Sequence, residues 1–108
     1  MRRLTLRQEN NGADRRFLEA YFDDHGDLHV DGQDLGPGTA VASSDGEYEW
    51  YQTIRAAHFA ELRTLLGAGA NEDLLDVLAR SYCGQGSYSL EKLLRESAIP
   101  IELQVWSG

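Results

Sequence analysis

The chain reads as an α+β protein: a mainly antiparallel sheet of four to six strands, with two or three helices packed on one face. Three observations predict this. Residues 2–54 repeatedly alternate apolar and polar side chains at a period of two. Residues 55–98 change to the spacing of amphipathic helices, and the last ten residues return to alternation. Strands, then helices, then a final strand is the order of α+β folds whose helices gather over one side of an antiparallel sheet. A chain of 108 residues has the size of one domain, here 1–108.

The first strand is "RRLTLRQE", with Leu4 and Leu6 on one side and Arg3, Thr5 and Arg7 on the other. "NNGAD" supplies a turn, because Asn and Gly tolerate positive φ. "RRFLEAYFD" follows as a second strand, placing Leu18, Ala20 and Phe22 opposite Phe17, Glu19 and Tyr21. "DDHGD" has the chemistry of a short hairpin loop ending at a left-handed Gly26, after which "DLHVDG" resumes the alternation. Residues 32–47 form a long glycine-bearing connection, with a short edge strand expected around Thr39–Ser43. "EYEWYQTI" then sets Tyr48, Trp50, Gln52 and Ile54 on one face.

"RAAHFAELRTLLG" brings Ala56, Phe59, Leu62 and Leu66 onto one helical stripe that stops at Gly67. A second helix over 71–84 has Asn71 as its expected N-cap and an apolar face of Leu74, Leu75, Val77, Leu78 and Tyr82. Asp76 and Arg80 form an expected i,i+4 pair on its outer side. A third helix over 89–98 turns Leu90, Leu93 and Leu94 inward and a Glu91–Arg95 pair outward. "IPIELQVWSG" closes the chain as a strand with Ile101, Leu103 and Val105 on one face, Pro100 fitting only at its start or on an edge.

Charge is distributed unevenly along these elements. The net charge is −8, yet residues 1–16 carry five arginines, and residues 17–54 carry nine acids and no lysine or arginine. An acidic middle third argues against direct nucleic-acid binding, where phosphates demand a basic surface, and suits a basic protein partner. No stretch is long and apolar enough to span a membrane. The basic N-terminus lacks the apolar segment of a secretory signal, and the lone Cys83 has no disulfide partner, so a cytoplasmic setting is expected.

Several residue groups invite a chemical reading. His25, Asp27, His29 and Asp31 share parity, and on one continuous strand two imidazoles and a carboxylate could hold a transition metal. Gly26 and the turn interrupt that strand, so the hairpin reading stands ahead of the metal or small-molecule alternative at His25 and His29. The calcium loop pattern begun at Asp27 fails at its twelfth position, which is Gly38 rather than Glu. Cys83 lies at a helix C-terminus, whose dipole opposes thiolate formation, and reads as a partly buried thiol. "GAGANED" and "GQGS" match no phosphate-binding fingerprint, so no cofactor is expected. No mutually supporting catalytic set is present, and the chain is not expected to be an enzyme.

What remains is a surface. Phe17, Tyr21, Tyr51 and Trp106 fall on strand faces opposite the core positions, beside Glu19, Glu47 and Glu49. If helices cover one face of the sheet, Phe17, Glu19, Tyr21, Glu47, Glu49 and Tyr51 form an acidic, aromatic patch for a protein partner. A homodimer burying that face is the alternative. The stretches "YFDDHGDLHVDGQDLGPG", "YEWYQTIRAAHFAELRTLLG" and "LLRESAIPIELQVWSG" resemble segments of small bacterial proteins of unassigned activity. The general character (small, acidic, α+β) is similar to that of bacterial immunity proteins. That likeness is one of type; it implies a binding role and assigns no residues.

Overall fold

In a computed structural model of the chain, the structure describes residues 2–36 and 46–107. The edge strand expected around Thr39–Ser43 lies outside them. The elements are β1 (Arg3–Asn11), β2 (Asp14–Phe22), β3 (Leu28–Leu35), β4 (Glu47–Ile54), a 3-10 turn (Ala56–His58), α1 (Phe59–Leu65), α2 (Leu74–Ser81), α3 (Gly86–Glu96) and β5 (Glu102–Ser107). The strands pair in chain order as one five-stranded sheet, every neighbour antiparallel. The expected α+β architecture is therefore the observed one.

Local chemistry explains where the elements begin and end. Gly12 (φ 64°) and Gly26 (φ 80°) take the left-handed conformation in the β1–β2 and β2–β3 turns, and Gly67 (φ 72°) follows α1. The cap of α2 is Asp73 rather than Asn71: its carboxylate accepts from the N–H groups of Leu75 (2.8 Å) and Asp76 (3.2 Å). α3 starts earlier than the leucine spacing suggests and takes in "GSYS", because Ser87 is fully buried and its hydroxyl donates back to Gly84 O.

The core lies between the helices and one face of the sheet. Leu6, Leu18, Ala20, Leu28, Val30 and Ile54 meet Leu62, Leu74, Leu75, Val77, Leu78, Leu90 and Leu94 there. Trp50 packs against this core over Gly32, its cross-strand partner. A Cβ on Gly32 would stand 2.2 Å from Trp50 Cε2 and Cζ2, so glycine is what admits the indole.

Two side chains expected to face solvent do the opposite. The β1–β2 register shifts between Thr5 and Arg7, a bulge that turns both Leu6 and Arg7 inward. The Leu6 carbonyl accepts from the Gly84 N–H (2.8 Å), tying the bulge to the α2–α3 connection. Arg7, 3% exposed, donates from Nε to Ser87 Oγ (2.9 Å) and from Nη2 to Glu91 Oε1 (2.5 Å). Its guanidinium lies 3.6 Å from the centroid of the Tyr88 ring. The other oxygen of Glu91 accepts from Trp50 Nε1 (3.2 Å). Glu91 thus pairs inward with Arg7 instead of outward with Arg95. Arg80 likewise pairs with Glu72 (2.6 Å), while Asp76 takes Arg2 (2.9 Å).

The helices stop short of the far edge of the sheet. On the helix side of β5, Leu103 and Val105 remain 59% and 50% exposed. They border a cleft of ≈ 610 Å³ between α3 and β4–β5, floored by Trp50 and Gln52.

The Arg7–Glu91 pair gives a stability test. Replacing Glu91 alone by Leu strands a buried guanidinium and is expected to cost about 3–5 kcal/mol in urea unfolding. The double variant Arg7→Met, Glu91→Leu removes both charges and should recover much of that loss; equal losses in single and double variants would contradict the pairing.

Candidate functional site

Pleating sends the alternate residues of each strand to the helix-free face, and the register aligns them in rows. One row runs Gln8, Phe17, Gln33, Glu49, Trp106; the next Thr5, Glu19, Asp31, Tyr51, Gln104; the third Arg3, Tyr21, His29, Thr53, Glu102. Phe17, Glu19 and Tyr21 of β2 and Glu47, Glu49 and Tyr51 of β4 therefore share one face, with β3 between them. Their spacing within each strand already implied a common face. That β3 is the strand between them was not legible from alternation.

Hydrogen bonds hold this face in place. Gln33 Nε2 donates to Glu49 (2.8 Å) and reaches Glu47 (3.5 Å), and Tyr51 donates its hydroxyl to Glu49. That bond to a carboxylate, with some desolvation, raises the Tyr51 phenol above its ordinary pKa. Tyr21 donates to Asp31 (2.9 Å) and is raised by burial first and by that bond second. Burial also raises Asp31. Arg3 bonds Glu19 (2.9 Å) and lies 4.2 Å from the Tyr21 ring centroid. Carboxylates still predominate: Glu19, Asp23, Asp31, Glu47, Glu49 and Glu102 stand there with the guanidiniums of Arg3, which bonds Glu19, Arg15, which shares a row with Glu47, and Arg55, which bonds Glu102.

The four residues weighed as metal ligands are dispersed. β3 begins at Leu28, so His25 and Asp27 precede the strand. Asp27 accepts from Arg55 Nη1 (2.9 Å) and from the Ala56 N–H (2.8 Å), anchoring the start of the helical region. Those bonds, the Ala56 N–H first, lower its pKa. His29 stacks on Tyr21 at 4.9 Å and lies between Asp23 Oδ2 (2.7 Å) and Thr53 Oγ1 (3.3 Å). With a proton on Nε2, the ring donates to the Asp23 carboxylate, and in that tautomer of the neutral ring Nδ1 is free to accept from the Thr53 hydroxyl. His25 is exposed and bonds Asp23 through its backbone N–H (2.9 Å). Among the described residues, no group of three or more His, Cys, Asp or Glu side chains is arranged to hold a metal ion.

Beyond the six residues singled out from sequence, the face also carries Gln33 and His29 of β3 and Trp106 of β5, the last already placed there by its parity. Gln33 has the same parity as His29 and Asp31, but Gly32 suggested that the strand ended before it. Cys83 is exposed rather than partly buried. Among the described residues, no helix is long and apolar enough to cross a membrane.

The fold and this surface define a small α+β protein built on an antiparallel meander, with one face under helices and the other acidic and aromatic. No family model, curated protein or solved structure matches the chain.

The Asp23–His29 bond predicts an acid titration. With its largest cause the bond from His29, the Asp23 carboxyl falls from 3.8 to about 2. A lowered acid stabilises the folded state above its unfolded pKa and loses that contribution as pH falls through the folded value. Carboxyl-detected NMR should place the Asp23 midpoint near 2 and move it toward 3.8 in His29→Ala; a wild-type midpoint near 3.8 would refute the bond.

Proposed function

We propose that this chain is a non-enzymatic protein-binding factor that occupies a basic partner with its helix-free sheet face. The observation that carries the reading is the convergence of Phe17, Glu19, Tyr21, Glu47, Glu49 and Tyr51 on that face, around the β3 strip of His29, Asp31 and Gln33. Aromatic rings supply contact area at low entropic cost, and the surrounding carboxylates complement a cationic surface and steer its approach. Gln33, Tyr21 and Tyr51 hold the carboxylates from within the face, so little ordering remains to be done on binding. The reading is one of binding rather than catalysis because the titratable side chains there are engaged with one another. His29 is spent on Asp23 and Thr53, and the tyrosines on Asp31 and Glu49.

Affinity capture from the host lysate, followed by amide-exchange mapping on the recovered complex, tests this. A basic protein should be retained, should dissociate with added salt, and should protect β2–β4 from exchange. Glu47→Lys combined with Glu49→Lys should weaken retention by at least about tenfold. Unchanged recovery by that variant, or protection confined to the helices, would overturn the proposal.

A further inference from the structure

We propose that β5 is a self-pairing edge: two copies of this chain join antiparallel along Glu102–Ser107, making one continuous sheet across a two-fold axis. The sheet has two edges, and they are built differently. β1 carries the bulge between Thr5 and Arg7 and the exposed Arg3, features that discourage another strand from pairing. β5 has no bulge in its pairing with β4, and no Lys, Arg, Pro or Gly from Glu102 to Ser107. Its one charge, Glu102, is already bonded to Arg55 through Nε (2.7 Å) and Nη2 (3.0 Å). No described strand pairs with its far side. Three large apolar side chains stand exposed on this one strand: Leu103 (59%), Val105 (50%) and Trp106 (49%). An uncovered, unblunted apolar edge is a template for another strand.

The sequence of β5 favours its own copy as the occupant. Directly opposed residues of an antiparallel pair share a face, so a symmetric pairing is centred on a single residue. Centred on Gln104, Leu103 opposes Val105 of the second copy and Val105 opposes Leu103, so both apolar pairs lie on the helix side. On the other face, Gln104 meets its own copy and Glu102 meets Trp106. The Arg55 guanidinium that holds Glu102 is thereby carried toward that indole. Centring on Val105 instead would leave Leu103 opposite Ser107, and centring on Leu103 would pair fewer residues of the strand. In the Gln104 register no two carboxylates oppose each other. The clefts beside α3, each ≈ 610 Å³, become neighbours across the axis, with the two Leu103–Val105 pairs between them.

Each copy carries a net charge of −8. Added salt screens the repulsion between copies and should strengthen this association, the reverse of its effect on a basic partner at the acidic face. The two proposals therefore fail separately.

Sedimentation velocity over a dilution series from micromolar to sub-millimolar chain, at low and high salt, is the test. The expected result is a concentration-dependent shift from one chain to two that is enhanced by salt. Val105→Glu should raise the dimer dissociation constant by at least about tenfold, with an unchanged circular dichroism spectrum. In a Cys83→Ser background, Gln104→Cys sits on the axis at a Cα separation of about 4.5–5.5 Å and should cross-link on oxidation. Leu103→Cys, opposed to Val105, should cross-link less. A single-chain mass throughout the wild-type series would overturn the proposal, as would a dimer indifferent to Val105→Glu or cross-linking stronger at position 103.

Discussion

The buried guanidinium of Arg7 is the constraint around which the sheet and the helices are arranged. A cation at 3% exposure is tolerable only where acceptors surround it, and α3 provides them through Ser87, Glu91 and the Tyr88 ring. Glu91 then spends its second oxygen on Trp50 of β4, whose indole rests over Gly32 of β3. One helix is thereby tied to the first, third and fourth strands of the meander. Apolar packing alone is non-directional and would allow α3 to slide across the sheet. These polar bonds fix its position, and that position leaves β5 uncovered on the helix side.

Alternation was enough to read the strands because each is half-buried, so its apolar set names the core face. Leu18, Ala20, Leu28, Val30 and Ile54 all point where their parity says. The helical stripes were legible for the same reason, and Leu74, Leu75, Val77 and Leu78 are buried as a group. What parity could not reveal is a change of parity. The bulge at Leu6 inserts one residue, and a polar side chain beyond it moves to the opposite face without any change in composition. Glu91 is the other side of the same contact. Its spacing to Arg95 is ideal for a surface pair, yet a buried cation on a distant strand competes for the carboxylate and wins, because a buried charge without a partner costs far more than a lost surface pair.

The helix-free face follows a different electrostatic logic. Nine acids between residues 17 and 54 would repel one another if they were gathered bare on one surface. The fold disperses some of them: Asp27 turns inward to Arg55 and Ala56, and Asp34 takes Arg16 on the helix side (3.1 Å). Those that remain on the outer face accept bonds from neutral donors, chiefly Gln33, Tyr21 and Tyr51, which hold a carboxylate without cancelling its charge. The face therefore stays negative while its side chains are ordered. The sequence showed the acids and the aromatics but not their bonding, since cross-strand partners depend on a register set by the turns at Gly12 and Gly26.

This meander is open, with β1 and β5 at its ends rather than paired with each other, so it has two edges, and their protection must come from the sequence. At β1 one irregularity serves both ends. The bulge that turns Arg7 into the core, where it anchors α3, also breaks the regular ladder that another strand would need. Protection of that edge and placement of the helix layer are thus the same structural event, which is why neither can be changed alone. β5 has no such link to the helices. It follows them in the chain, gains its ladder from β4 alone among the described strands, and keeps Leu103, Val105 and Trp106 at the surface. The asymmetry between the two edges is therefore a consequence of where the buried cation sits along the chain.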